Sequence, residues 1–77
     1  MTIKIISARQ IEFEGEVELV TLPGSNGSFT VLDHHASLLS TLTVGNIVYE
    51  TTGKREIVPV TGGIVDVDNN VVSVCMY

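Results

Sequence analysis

Between Ile11 and Glu16 the chain alternates without a break, with Ile11, Phe13 and Gly15 on one side and Glu12, Glu14 and Glu16 on the other. A helix, with its repeat of about 3.6 residues, cannot sort such a pattern into two faces, whereas a strand does so at every step. The same period-two pattern is found over 2–7, where Ile3 and Ile5 oppose Lys4, and over 46–51, where Ile47 and Tyr49 oppose Val48 and Glu50. It continues in short β-branched runs at 28–32, 56–61, 64–67 and 71–76. Turn-forming residues separate these runs: Pro23-Gly24-Ser25-Asn26-Gly27, Val44-Gly45-Asn46, Thr52-Gly53-Lys54, Gly62-Gly63 and Asp68-Asn69-Asn70. The pattern predicts an all-β fold, a small β-sandwich or barrel of about 8–10 short strands, with residues 1–77 forming one domain.

Four segments carry more specific expectations. Residues 16–22 read as one strand, with Val17, Leu19 and Thr21 on one face and Glu18, Val20 and Leu22 on the other. Residues 36–42 fit either a strand or a single helical turn. Pro59 cannot donate to a ladder, which predicts an edge strand or a bulge for 56–61. The glutamates at 12, 14 and 16 read as a solvated edge whose charges block pairing with other chains.

Composition removes several functions. Nine acidic residues against four basic ones give a net charge of −5, and Lys4, Arg9 and Lys54-Arg55 make no basic face. Nucleic acid needs such a face to displace counterions, and an anionic membrane surface is disfavoured for the same reason. The expected partner is another protein. One cysteine, Cys75, excludes an internal disulfide. The opening MTIKIISARQ lacks the apolar core and cleavage site of a signal peptide, and no apolar run approaches the ~20 residues of a membrane helix. The expectation is a soluble protein without direct membrane insertion.

No arrangement of side chains points to catalysis. His34 and His35, if extended, face opposite ways and cannot chelate one metal together, and neither Cys75 nor Asp33 stands at a metal-ligand spacing from them. Asp33, His35 and Ser37 make a triad only on paper: they are too close in sequence to reach its geometry, and no G-x-S-x-G is present. Asp66 and Asp68 read as a solvated rim beside the Asn69-Asn70 turn. Gly24, Gly27, Gly62 and Gly63 match no phosphate-binding fingerprint and suit turns or close packing. The chain reads as a non-enzyme with no metal and no cofactor.

The order of its segments resembles the epsilon subunit of F-type ATP synthases, specifically the N-terminal β-sandwich. The likeness runs through Ile6-Ser7-Ala8, Phe13-Glu14-Gly15 and Val17, and Val20-Thr21-Leu22-Pro23-Gly24 leading to Gly27-Ser28-Phe29. Leu32-Asp33-His34-His35-Ala36-Ser37-Leu38-Leu39 is similar to the family's L-P-G-H-A-P-L-L. Val44-Gly45 is similar to its P-G, Thr61-Gly62-Gly63-Ile64-Val65-Asp66-Val67 to its S-G-G-F-x-E-V, and Val71-Val72-Ser73-Val74 to its V-x-V ending. Thr30 departs where glycine is usual, Asp33-His34 where Pro-Gly is usual, and Ser37 where a second proline is usual.

The resemblance implies a non-catalytic part of the central rotor stalk that binds the gamma subunit and the c ring and helps couple proton-driven rotation to ATP synthesis. It implies a peripheral position at the cytoplasmic face of a bacterial plasma membrane, through the complex. Carried over by position, Ser25, Asn26, Gly27 and Ser28 would meet the c ring, and His35, Ala36, Leu38, Leu39, Gly62 and Gly63 would lie toward gamma and the ring. Family members usually continue into two C-terminal helices, whose regulatory roles are not carried over. The alternative is a free-standing β-sandwich binding module for a protein, small ligand or glycan, although a chain with no tryptophan and two tyrosines offers little for a sugar platform.

Overall fold

The computed structural model describes residues 1–77 and contains nine strands and no helix. They are β1 (Thr2–Ile6), β2 (Ile11–Glu16), β3 (Leu19–Gly24), β4 (Gly27–Leu32), β5 (Leu38–Leu42), β6 (Gly45–Thr51), β7 (Lys54–Val60), β8 (Gly63–Asp68) and β9 (Val71–Met76). Within residues 36–42, Leu38–Leu42 thus resolves as a strand, and all nine strands belong to one continuous sheet that curls over itself. One layer runs β2-β1-β9-β8-β5 and the other β4-β3-β6-β7. They join at a single bridge, Gly24 to Leu42. At that corner Thr41 O accepts from Ser25 N at 3.0 Å and Pro23 O from Thr43 N at 2.9 Å. All ladders are antiparallel except β1 with β9.

The core lies between the layers. Ile3, Ile5, Val65, Val67, Val72 and Val74 from the first layer meet Val20, Leu22, Val31, Ile47, Tyr49 and Val60 from the second. Each occupies every second position of its strand, and burying each such side chain contributes roughly 1.5–3 kcal/mol. No buried side-chain polar atom lacks a hydrogen-bond partner.

One expected strand divides. Residues 16–22 do not form a single strand: β2 ends at Glu16 and β3 starts at Leu19. Val17 and Glu18 carry the chain from one layer to the other, with Val17 N bonded to Met1 O at 2.8 Å and Glu18 N to Glu50 O at 2.8 Å. Crossing between layers shifts the phase. Val17 is buried in the crossing, and Val20, Leu22 and Gly24, rather than Leu19 and Thr21, then face inward. The strand also runs on through Pro23 and Gly24, so the turn itself is only Ser25-Asn26. Pro59 sits on β7, whose only neighbour is β6, as its missing donor requires.

Candidate functional site

The loops gather at two ends of the sandwich. Strand β4 runs from one to the other, spanning about 17 Å at ~3.4 Å per residue. At the corner end lies the Ser25-Asn26 turn, flanked by the opposed Gly24 and Gly27, with Ser28 next on β4. Ser25, Asn26, Gly27 and Ser28 are all exposed. The Thr41 hydroxyl donates to the Ser25 hydroxyl at 2.8 Å and holds the turn against β5. Gly24 is forced at this place, because a Cβ there would stand 2.7 Å from Gly27 O and 2.8 Å from the Phe29 ring.

Gly62 and Gly63 stand at the same end. Gly63 pairs with Leu42, which itself bridges to Gly24. Both glycines are buried: the Tyr77 ring covers Gly62, and a Cβ on Gly63 would fall onto Cys75 O. Among the positions carried over from the family, these two are brought beside Ser25–Ser28.

His35, Ala36 and Leu38 lie at the opposite end. The chain turns there at Leu32-Asp33-His34-His35, closed by Leu32 O accepting from His35 N at 3.1 Å. His34 is the third residue of that turn, with φ 62°, the left-handed conformation that a type II turn requires and glycine usually supplies. Asp33-His34 thus forms this turn with neither proline nor glycine, and side-chain hydrogen bonds hold it. Asn70, itself at φ 62°, accepts from His34 N at 2.8 Å through Oδ1 and donates from Nδ2 to Asp33 Oδ1 at 2.8 Å. Asp33 Oδ1 also accepts from the Met1 ammonium at 3.0 Å, and Ser37 Oγ donates to Asp68 Oδ1 at 2.9 Å.

Electrostatics follow these bonds. The Asn70 amide, then the Met1 ammonium, hold the Asp33 carboxyl below its ordinary range. The Thr2 hydroxyl, 2.6 Å from Oε1, lowers Glu16, and the Asp33 carboxylate raises the Met1 ammonium. Glu16, Glu18 and Asp33 border an open groove of about 460 Å³ beneath this end. No group of three or more His, Cys, Asp or Glu side chains converges on a metal-sized site.

His34 and His35 lie in this turn rather than in a strand. His35 is exposed, its Nδ1 2.6 Å from Ala36 O, and Ala36 is exposed beside it. Ser37, His35 and Asp33 share no hydrogen bond with one another, so they form no relay. The two leucines diverge: Leu38 packs against the core, whereas Leu39 is 72% exposed. The anchor that sequence reasoning missed is Asn70. Its place in a two-residue turn was legible, but nothing in the sequence links it to Asp33, 37 positions away.

Comparison with known proteins follows the same outline. The family model described as "ATP synthase, Delta/Epsilon chain, beta-sandwich domain" matches residues 1–76. The ATP synthase epsilon chain of Desulfitobacterium hafniense is 37% identical over 73 residues, covering 95% of this chain and 55% of its own length. That of Wolinella succinogenes is 45% identical over 69 residues, covering 88% and 53%. The chain thus spans about half the length of the curated relatives it matches. Among solved structures, a chain of the Euglena gracilis mitochondrial ATP synthase (OSCP/F1/c-ring) superposes with a TM-score of 0.89 at 22% identity, over 96% of this chain and 48% of that one. A chain of the Tetrahymena thermophila mitochondrial ATP synthase (central stalk/c-ring) does so at 0.84 and 15%, over 97% and 61%. At those identities the structures report the fold alone.

Proposed function

Because the chain belongs to the family of ATP synthase delta and epsilon chain β-sandwich domains, we propose that it is a non-catalytic module of the rotor's central stalk, binding the gamma subunit and the c ring and helping couple proton-driven rotation to ATP synthesis. The observation that carries this reading is the family match over residues 1–76, nearly the whole chain. Physical chemistry agrees with it. A coupling module needs a stiff body with adhesive ends, and this fold has a continuous sheet, a saturated core and loops held by hydrogen bonds at both ends.

Both ends take part. The Ser25-Asn26-Gly27-Ser28 turn would rest on the c ring, with Gly62 and Gly63 shaping the body behind it. At the other end His35 and Ala36, with Leu38 beneath and Leu39 exposed on β5, would meet gamma and the ring. No helix is long and apolar enough to cross a membrane, and the module would reach the cytoplasmic face of a bacterial membrane through the complex.

The test is to recover the tagged chain from membranes of its own source and identify what accompanies it by mass. Gamma, with the alpha and beta subunits and the c ring, is the expected company. Recovery of the chain alone, or with unrelated proteins, would overturn the stalk assignment in favour of a free-standing binding module.

A further inference from the structure

An asparagine can be consumed by its own backbone. Its side-chain amide lies within reach of the backbone groups just ahead of it. When the nitrogen of the next residue attacks Cγ, a five-membered imide closes and the side-chain nitrogen is expelled. Two conditions decide whether this happens: the next residue must leave Cγ uncovered, and its nitrogen must be free to swing toward it.

The chain has four asparagines, Asn26, Asn46, Asn69 and Asn70, and three of them are shielded. Asn46 precedes Ile47, a fully buried β-branched residue inside β6 that pairs with Val58. Asn69 precedes Asn70, whose side chain ties it to Asp33 and to His34 N. Asn70 has both side-chain polar atoms engaged in those bonds, and β-branched Val71 follows it. Asn26 differs on every count. It is exposed in a two-residue turn and makes no hydrogen bond within the chain, through backbone or side chain. Gly27 follows it, at φ 124° and with nothing within 4 Å of where a Cβ would stand. Ser25, by contrast, is anchored to Thr41 through both its N–H and its hydroxyl.

One restraint opposes the attack. Residues that close a two-residue hairpin exchange hydrogen bonds, so the Gly27 N–H is tied to Gly24 O. That pair is the last of the β3–β4 ladder, and terminal pairs fray at far less cost than global unfolding.

We propose that Asn26-Gly27 is a self-modification site, where the folded chain converts Asn26 into a mixture of aspartate and isoaspartate. The Gly27 nitrogen bonds to Asn26 Cγ and its proton passes to solvent. The bond from Cγ to Nδ2 breaks, and Nδ2 takes up a solvent proton and leaves as ammonia. Water then opens the imide at either carbonyl, so each event takes in one water and releases one ammonia, with no oxidant, cofactor or enzyme. The product places a carboxylate in residues 19–32, which carry no charge, and adds one negative charge to a net of −5. Isoaspartate also routes the backbone through the former side chain, which lengthens the turn by one methylene. None of this depends on the stalk assignment.

Incubation of the whole chain at mildly alkaline pH tests the proposal, followed by intact mass and by peptide mapping that separates aspartate from isoaspartate. The expected result is a gain of about one dalton, at least about tenfold faster at Asn26 than at Asn46, Asn69 or Asn70, with both products present. Urea well below the unfolding midpoint should leave that rate within about twofold, because only the terminal pair has to open. Asn26→Gln, at an exposed position with no bond to lose, should keep the native midpoint and abolish the early gain in mass. No conversion at Asn26, or faster conversion at another asparagine, overturns the proposal. Aspartate alone would mean direct hydrolysis without the imide, and overturns it too. A rate that climbs with urea in step with the unfolded fraction would place the reaction in the unfolded chain and has the same consequence.

Discussion

The ring of Phe13 on β2 stacks on that of Tyr49 on β6, with centroids 4.5 Å apart and planes 20° from parallel. These strands belong to opposite layers and are not hydrogen-bonded neighbours. The two rings therefore close the sandwich on the side where no β-ladder joins the layers, opposite the Gly24–Leu42 corner.

Stacked rings are coupled beyond the area they bury. Phe13→Leu and Tyr49→Leu, made singly and together, should show an interaction free energy of about 1 kcal/mol in urea unfolding. Additive effects would mean that the two side chains stabilise the fold only through their separate burial.

The Tyr49 hydroxyl also has an alkaline signature. Burial, then the Glu56 carboxylate, raises its pKa above the ordinary 10.0. The contribution of a raised group is fully present below the unfolded value and is lost as pH rises through the folded one. Unfolding midpoints should thus fall above about pH 10 in the native chain and fall less in Tyr49→Phe, where this group no longer titrates.

Asn69 and Asn70 form an internal control. Both have left-handed backbones, φ 49° and 62°, so glycine fits either equally well. Only Asn70 uses its side chain, to Asp33 and to His34 N. Asn70→Gly should therefore be less stable than Asn69→Gly by about 1–2 kcal/mol in urea unfolding. Equal midpoints would show that the 33–37 turn does not depend on this bond pair.

The acid limb of stability reports on the same place. Asp33 is depressed below its ordinary 3.8, first by Asn70 and then by the Met1 ammonium, so its contribution is present above that value and disappears as pH falls through the lower folded one. Midpoints followed from pH 6 to about pH 2 should fall less steeply in Asp33→Asn than in the native chain. An identical slope would assign the acid response to other carboxylates, Glu16 first, since its Thr2 hydrogen bond lowers it too.

The parts of this fold legible in the sequence were those governed by neighbours along the chain. Alternation disclosed most of the strands, turn chemistry disclosed the Thr52-Gly53 and Asn69-Asn70 hairpins, and Pro59 disclosed an edge. Where long-range contacts decided, local reading failed. Val17 looked like one more step of a strand, but the bonds of residues 17 and 18 to Met1 and Glu50 make it a crossing between layers. The backbone of His34 is bonded to the side chain of Asn70, and that contact has no signature at either position. Leu38 and Leu39 read alike as hydrophobic residues until the register set Leu38 opposite Val67 and Leu39 opposite the exposed Asp66.

Glycine at 63 should be nearly irreplaceable. With φ 154° and Cys75 O where a Cβ would go, Gly63→Ala must push β8 away from β9. Its cost should be about 3 kcal/mol, combining overpacking and backbone strain, a large share of the ~5 kcal/mol expected of so small a domain. Gly53→Ala, at φ 72° in an open hairpin with nothing within 4 Å, should lose about 1 kcal/mol from strain alone. Comparable losses at both sites would show that the β8–β9 ladder yields more readily than its geometry indicates.

The two leucines of β5 separate folding from binding. Leu38 packs against the core, so Leu38→Lys should lower stability by about 2 kcal/mol or more, and any loss of partner binding there would be confounded. Leu39 is 72% exposed, and Leu39→Lys should leave the unfolding midpoint within about 0.5 kcal/mol of the native chain. If the β5 face meets the gamma subunit, that same variant should bind isolated gamma about tenfold more weakly by calorimetry. Native affinity in Leu39→Lys would remove β5 from the interface and leave the 33–37 turn, with His35 exposed at its end, as the contact to test next.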